Sequence, residues 1–415
     1  MNTNESESAA NHAATVHASA IVIDTHADTP QRILDEHFDL AEARGSGDWN
    51  LESARIGNLG AQFFAIWAEP ERFKGQYARR TLDLIDALKQ QVAKHCDRME
   101  FVTSTAGIVQ ARGASKIAAL MGIEGGHSIE NSLELLREYY ALGARYMTLT
   151  WANSNDWADS SGDIDDESVP HTKEGLSDFG CDVIHEMNRL GMMVDVSHVA
   201  EPTFYRTLEI SQAPVIASHS SAREICDVPR NLDDAMLRAI AGSGGPESRG
   251  GVVHVNFYSG FVCPEYRKAQ RAMMPEVDAA VKQSEAQANA AGHAFTYGQE
   301  SRLRRSYMDR IPRPPFSTLI DHIDHIAKVA GVDHVGLGSD FDGIYGQLPE
   351  GIDSPADLPK ITAALLERGY SADDCRKLLG GNLLRVMREV EAASKQLQAE
   401  NRPEIVAKQP LDKNY

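Results

Sequence analysis

Nowhere in its 415 residues does this chain carry an apolar run approaching the roughly 18 residues that a membrane-crossing helix needs, which argues against a transmembrane protein. Positive charge is also scarce. Lys and Arg number 41 against 60 Asp and Glu, for a formal charge of -19, and no basic stripe with interleaved aromatics occurs. That balance argues against nucleic acid or an anionic membrane as partner. Cysteine is sparse as well: the five, Cys96, Cys181, Cys226, Cys263 and Cys375, are odd in number, scattered and without CxxC spacing. This excludes a disulfide framework and leaves reduced thiols. The first twenty residues have neither a basic stretch nor a continuous apolar one and do not read as a signal peptide. The expected location is cytoplasmic.

What the chain does have is a set of metal-competent side chains, each at or just after the end of a short apolar run. His26 and Asp28 follow Ile21-Val22-Ile23, and Glu124 follows Leu120-Met121-Gly122-Ile123. His198 closes Met193-Val194-Asp195-Val196, His219 follows Val215-Ile216-Ala217, and Asp340 follows Val335-Gly336-Leu337. Segments so far apart in sequence converge only if the apolar runs are neighbouring strands. In a (β/α)8 barrel the catalytic groups sit at the C-terminal ends of parallel strands, and this placement suggests such a barrel with a buried metal centre.

Eight strands are expected, over residues 21–25, 60–67, 116–124, 145–151, 192–198, 214–219, 250–257 and 334–340. Helical patterns lie between most of them, such as Leu82, Ile85, Leu88 and Val92, or Phe179, Val183, Ile184, Met187 and Leu190. Strand runs without period-2 alternation fit parallel strands buried on both sides, a pattern that a doubly wound open sheet also satisfies. Convergence of ligands from five strands favours closure. The expected organisation is therefore an α/β, TIM-like barrel over residues 20–391, with a flexible segment 1–19 before it and a tail 392–415 after it. Residues 264–315, between the seventh and eighth expected strands, are rich in Ala, Gln, Lys, Arg and Glu, and read as a partly helical insertion over the active-site face or at a subunit contact.

Each candidate alone is weak, since an HxD is more often a polar turn and a buried histidine more often structural. Five such groups at five comparable positions shift the balance. Nitrogen and oxygen donors without thiolates suit zinc, with manganese or cobalt as alternatives. The two oxygens of Glu124 can bridge two cations, and two glycines after it leave room beside the carboxylate. Asp340 is placed to take a proton from activated water and hand it to a leaving group. His127, His254, His322 and His325 read as structural or surface residues, and Asp342 as a turn residue.

The stretches IDTHADTP, GIEGGHSIE, LGARYMTLT, GLSDFG, NRLGMMVDVSH, APVIASHSSA, PRNLDD, VNFY, HVGLGSDFDG and GNLLRV occur in this order. Together they resemble the membrane (renal) dipeptidase family, the M19 peptidases of the amidohydrolase superfamily. The resemblance implies two zinc ions, one held by His26, Asp28 and Glu124 and the other by Glu124, His198 and His219. It also implies Asp340 as acid/base, Arg230 as the partner of a dipeptide's C-terminal carboxylate, and Tyr258 in support of Arg230. Where family members carry a histidine, this chain has Trp151 in LTWANSNDWADS, expected to narrow the substrate pocket. The partner expected is a small dipeptide, with a homodimer left open. The readings held beside it are an amidohydrolase of the same fold for an N-acyl amino acid, another small amide or a lactone, and a non-catalytic binder.

Overall fold

The structure is a computed structural model that describes residues 3–45, 47–172 and 174–400. Nine parallel strands form one sheet: β1 (Val22–Ala27), β2 (Leu59–Trp67), β3 (Met99–Phe101), β4 (Ile117–Glu124), β5 (Ala144–Thr148), β6 (Met193–Asp195), β7 (Ile216–Ala217), β8 (Val252–Val255) and β9 (Val335–Leu337). The spatial order β2-β1-β9-β8-β7-β6-β5-β4 returns on itself, because β2 and β4 pair from Ala61↔Ala118 to Trp67↔Glu124. The sheet is thus a closed eight-stranded barrel surrounded by helices, and the open-sheet alternative is set aside.

The expected strands are all present, with one addition. Strand β3 lies outside the ring and pairs with Ile117–Ala119 at the start of β4, an edge that β5 takes over from Met121 onward. At three residues it is too short to show a periodicity. Strands β6, β7 and β9 end sooner than expected because side chains replace the ladder. The amide of Ser197 donates to Asp195 and that of Phe341 donates to Ser339, so the chain leaves the sheet with its donors satisfied.

Alternate residues of β4 divide between two cores. Ala119, Met121 and Ile123 pack outward against helices, whereas Ala118 and Leu120 join Ile23, Phe63, Tyr146, Met193, Ile216 and Val252 inside the ring. The same period carries Gly122 and Glu124 inward. The helix Asn382–Ala399 lays Leu383, Leu384, Val386, Met387 and Val390 against this inner cluster, covering the end of the barrel remote from the C-terminal strand ends. The opposite end carries the C-terminal ends of the strands and opens into a cavity.

Three expectations are corrected or refined. The segment expected to be flexible, 1–19, contains the helix Thr3–Ser19, in which Ala13, Val16 and His17 are buried. His17 sits between the Thr362 hydroxyl at 2.7 Å and the Gly57 carbonyl at 3.0 Å. Its stripe of small residues gave too weak a signal for a packed helix. At the other end, the segment 392–415, read as a helix end and a tail, continues the last helix to Ala399, and 401–415 lie outside the described residues. The insertion is two helices, Pro264–Ala290 and Tyr297–Met308, joined by a small core of Tyr266, Val277, Met308 and Ile311. No helix among the described residues is long and apolar enough to cross a membrane.

Inside the ring, Tyr146 occupies the space left by a missing side chain on β4. A Cβ on Gly122 would lie 1.9 Å from the Tyr146 ring, which is fixed in place by its hydrogen bonds to β1. Gly122→Ala is therefore expected to destabilise the barrel by about 1–3 kcal/mol, the usual cost of overpacking. Urea unfolding measures it, and an unchanged midpoint would show that the interior yields.

Candidate active site

Six side chains from five strand ends meet above the inner core. The Oε2 atom of Glu124 lies 3.5 Å from His26 Nε2, which is itself 3.5 Å from Asp28 Oδ2. Its other oxygen, Oε1, lies 3.1 Å from His198 Nε2 and 3.3 Å from His219 Nε2. One carboxylate thus faces His26 with one oxygen and His198 and His219 with the other, while the His26 and His219 rings stack at 3.7 Å and share a cluster with Glu124. Asp340 joins His26 and Asp28 in a cluster whose ligand atoms all lie within 4.8 Å of one another. Gly343 keeps that cluster open, since a Cβ there would stand 2.2 Å from Asp28 Oδ2 and 2.4 Å from Asp340 Oδ1. His198 and Asp340 adopt left-handed backbone, with φ of 68 and 64°, a conformation uncommon for non-glycine residues and concentrated at functional sites.

The imidazoles are oriented from behind. The Tyr146 hydroxyl donates to the Thr25 carbonyl at 3.0 Å, so it can only accept from Nδ1–H of His26, also at 3.0 Å. Ser218 Oγ likewise donates to Asp195 at 2.6 Å and accepts from His219 Nδ1 at 2.7 Å. Both rings therefore turn Nε2 toward Glu124, the arrangement by which an outer hydrogen bond fixes a metal-ligating histidine. Two buried aspartates fix the loops that carry these groups. Asp195 also accepts from the Ser218 amide at 2.8 Å, and Asp24 accepts from the amide and hydroxyl of Ser339 at 2.8 and 2.6 Å. Each aspartate thereby holds the residue immediately before a functional one. Burial raises the Asp24 carboxyl to about 6.

These residues fit a cation pair. His26 Nε2 is buried without a hydrogen-bond partner, and the Nε2 atoms of His198 and His219 face each other at 3.0 Å. Burial, then the positive charge of Arg230, lowers His198 to about 4, and burial holds His219 well below its ordinary value. Both are neutral imidazoles at neutral pH and available as ligands. Burial, reinforced by the charges of Asp28 and Glu124 against that of His26, pushes Asp340 well above the usual carboxylate range, and Asn256 donates to it at 2.9 Å.

The site opens into a cavity of about 210 Å³. Arg230 lines it, with Nη1 donating to Ser220 Oγ at 2.7 Å while Nε and Nη2 are buried without partners. Burial lowers its guanidinium to about 10, which leaves it cationic at neutral pH. Tyr258 lines the cavity too; its ring meets Phe261 at 4.6 Å and its hydroxyl accepts from Gln270 of the insertion. Trp151 forms part of the wall, tilted against Trp67 at 4.7 Å. All nine candidates read from the sequence therefore come together.

The sequence reading missed Trp67, Phe261, Tyr297, Ile344 and Tyr345 of the cavity wall, together with Tyr146, Asp24 and Asp195 behind the ligands. An acid within the apolar runs IDTH and VDVSH was a usable signal for the two aspartates; the wall residues carry none. The histidines set aside do serve other ends: His127, His254 and His322 bond the carbonyls of Ala68, Ala217 and Val262, and His325 bonds Asp234. Asp342 is more than a turn residue. It is buried, lies 3.3 Å from Arg32 Nη1, and accepts from Thr29 Oγ1 at 2.7 Å and from the Asp48 amide at 2.6 Å, tying the loops after β1 and β9 together.

Fold and donor set together define a metal-dependent barrel hydrolase. Residues 10–401 match the model of the membrane dipeptidase family, peptidase family M19, and the chain belongs to that family. It is 32% identical to Dipeptidase 3 of Homo sapiens over 385 residues, 92% of this chain and 67% of that protein. With Dipeptidase 3 of Mus musculus it shares 34% over 83% of this chain and 58% of the relative, so it spans about two thirds or less of these mammalian proteins. An uncharacterized dipeptidase of Schizosaccharomyces pombe is 34% identical over 92% of this chain and 84% of its own length. Among solved structures, the probable dipeptidase PvdM from Pseudomonas aeruginosa superposes with a TM-score of 0.76 at 24% identity, covering 93% of this chain and 99% of its own. A metallopeptidase from Rhodobacter sphaeroides, liganded with a phosphinate mimic of the dipeptide L-Ala-D-Ala, gives 0.70 at 24% identity, over 90% of this chain and all of its own. Both share the barrel.

Asp48, which binds the Asp342 loop, has its carboxyl raised to about 7 by burial and by the charge of Asp342. The folded chain then binds more protons than the unfolded one between about pH 4 and 7, and this group's contribution to stability falls as pH rises through that window. Asn at this position cannot ionise. The melting temperature of Asp48→Asn relative to the parent should therefore increase from pH 5 to pH 8, and a difference independent of pH would contradict the assignment.

Proposed function

We propose that this chain hydrolyses dipeptides with a free C-terminal carboxylate, using two divalent cations, zinc in the first instance. The observation that carries the proposal is the division of Glu124, one oxygen toward His26, which itself lies 3.5 Å from Asp28, and the other toward His198 and His219. In this reading His26, Asp28 and Glu124 hold one ion, and Glu124, His198 and His219 hold the other. Bound there, the pair would polarise a peptide carbonyl and make hydroxide available near neutral pH.

The remaining residues divide the rest of the task. Arg230 has two buried nitrogens, Nε and Nη2, with no partner among the described residues, the complement of a carboxylate, and a guanidinium fork binds that group in a fixed orientation. A third residue on the substrate would displace its carboxylate from this reach, which restricts the enzyme to dipeptides. Asp340, buried beside the ligand cluster, accepts the proton released from water and returns it to the amide nitrogen as the C–N bond breaks. The products are two amino acids, one water being consumed. The phosphinate ligand of the Rhodobacter sphaeroides structure, which mimics L-Ala-D-Ala, supports including L-Xaa-D-Xaa substrates beside L,L.

Kinetics separate these roles. Asp340→Asn should lower kcat by a factor on the order of 100 or more while leaving metal content unchanged. Arg230→Ala should raise KM for a dipeptide far more than for the same dipeptide amidated at its C-terminus. Equal losses on acid and amide would rule out the carboxylate clamp.

A further inference from the structure

Resting on the dipeptidase reading, we propose that Tyr297 of the insertion, with Trp67 and Trp151, forms a subsite for an apolar side chain, aromatic best, on the amino-terminal residue of the substrate. Position in the ring sets which end of the substrate this wall receives. In the order β2-β1-β9-β8-β7-β6-β5-β4 the strands β2 and β7 stand opposite each other. Trp67 is the last residue of β2, whereas Arg230 is anchored on Ser220, just beyond β7. A dipeptide whose carboxylate lies on Arg230 therefore points its amino-terminal residue across the barrel mouth toward Trp67.

The wall there is aromatic and is completed by the insertion. Trp67 meets Trp151 at 4.7 Å and Tyr297 at 6.4 Å, and all three line the cavity. Among the described residues, apart from the candidate ligand cluster with Asp340, and Arg230, no charged side chain lines it. An apolar side chain is thus buried against flat rings, whereas a lysine or glutamate side chain is desolvated without a partner. Tyr297 is also held in place. Its hydroxyl donates to the Asp342 carbonyl at 3.2 Å, and its helix is fastened to the loops after β1 and β2 through Arg302–Glu36 at 3.6 Å, Arg305–Asp48 at 3.7 Å and Glu300–Arg72 at 3.1 Å. Gly298, next in sequence, lets the helix lie directly on Glu36, where a Cβ would be 2.1 Å from Oε1.

The test compares the zinc-replete full chain with Tyr297→Phe and Tyr297→Ala on Phe-Ala, Leu-Ala, Lys-Ala and Ala-Ala. The parent should favour Phe-Ala and Leu-Ala over Lys-Ala and Ala-Ala by roughly 10-fold or more in kcat/KM, the discrimination expected of a buried apolar side chain. Tyr297→Ala should lose roughly that factor on Phe-Ala, mainly through KM, and change Ala-Ala by less than about 3-fold; Tyr297→Phe, which keeps the ring, should retain the preference. A non-hydrolysable phosphinate mimic of Phe-Ala should shift the emission of Trp67 and Trp151 in the parent, and bind Tyr297→Ala more weakly than the Ala-Ala mimic does relative to the parent. Equal losses on Phe-Ala and Ala-Ala, or an unaltered preference in Tyr297→Ala, would overturn the subsite and leave the dipeptidase reading intact. A parent chain that hydrolyses none of the four defeats both, and does so without reference to the variants.

Discussion

The mouth of the barrel depends on one buried carboxylate placed among three imidazoles. Glu124 shares its pocket with Asp28, Asp340, His26, His198 and His219, all largely removed from water. Three carboxylates so confined repel one another, and of the three imidazoles only His26 is held above its ordinary value, burial keeping His198 and His219 low. Divalent cations held by these residues, as proposed, would resolve the conflict, and the arrangement of the surrounding residues fits that reading. Tyr146 and Ser218 set the histidine tautomers, Asp24 and Asp195 hold the loops, and Gly122 and Gly343 leave the space.

Closure of the sheet is what makes such a cluster possible. The β2–β4 pairing brings Glu124 level with Trp67, and its side chain reaches the residues after β6 and β7. The C-terminal helix fills the other end with leucine, valine and methionine, so the polar layer is confined to a single mouth. Stability and chemistry are thereby separated along the barrel axis, the usual division in this architecture.

The barrel and the convergence of the candidate ligands were legible because both follow from local pattern. Apolar runs ending in His26, Glu124, His198, His219 and Asp340 state at once where the strands are and which ends face the site. What was not legible depended on contacts between distant segments. Tyr297 belongs to a helix rich in charged residues, and nothing local marks it as part of the pocket; only the packing of that helix on Glu36, Asp48 and Arg72 does. Asp342 looked like a turn residue because Arg32, Thr29 and Asp48 are about 300 positions away in sequence. The amino-terminal helix was missed for a different reason, since its buried stripe is built of alanine, valine and histidine rather than large apolar residues.

Anomalous diffraction at the zinc edge, from crystals of the full chain grown with zinc, tests the central claim most directly. The account predicts two peaks on either side of the Glu124 carboxylate, each within roughly 2.0–2.2 Å of a different one of its oxygens, one beside His26 and Asp28 and the other beside His198 and His219. A single peak served by Glu124 alone on one side, or ions bound away from Glu124, would contradict it.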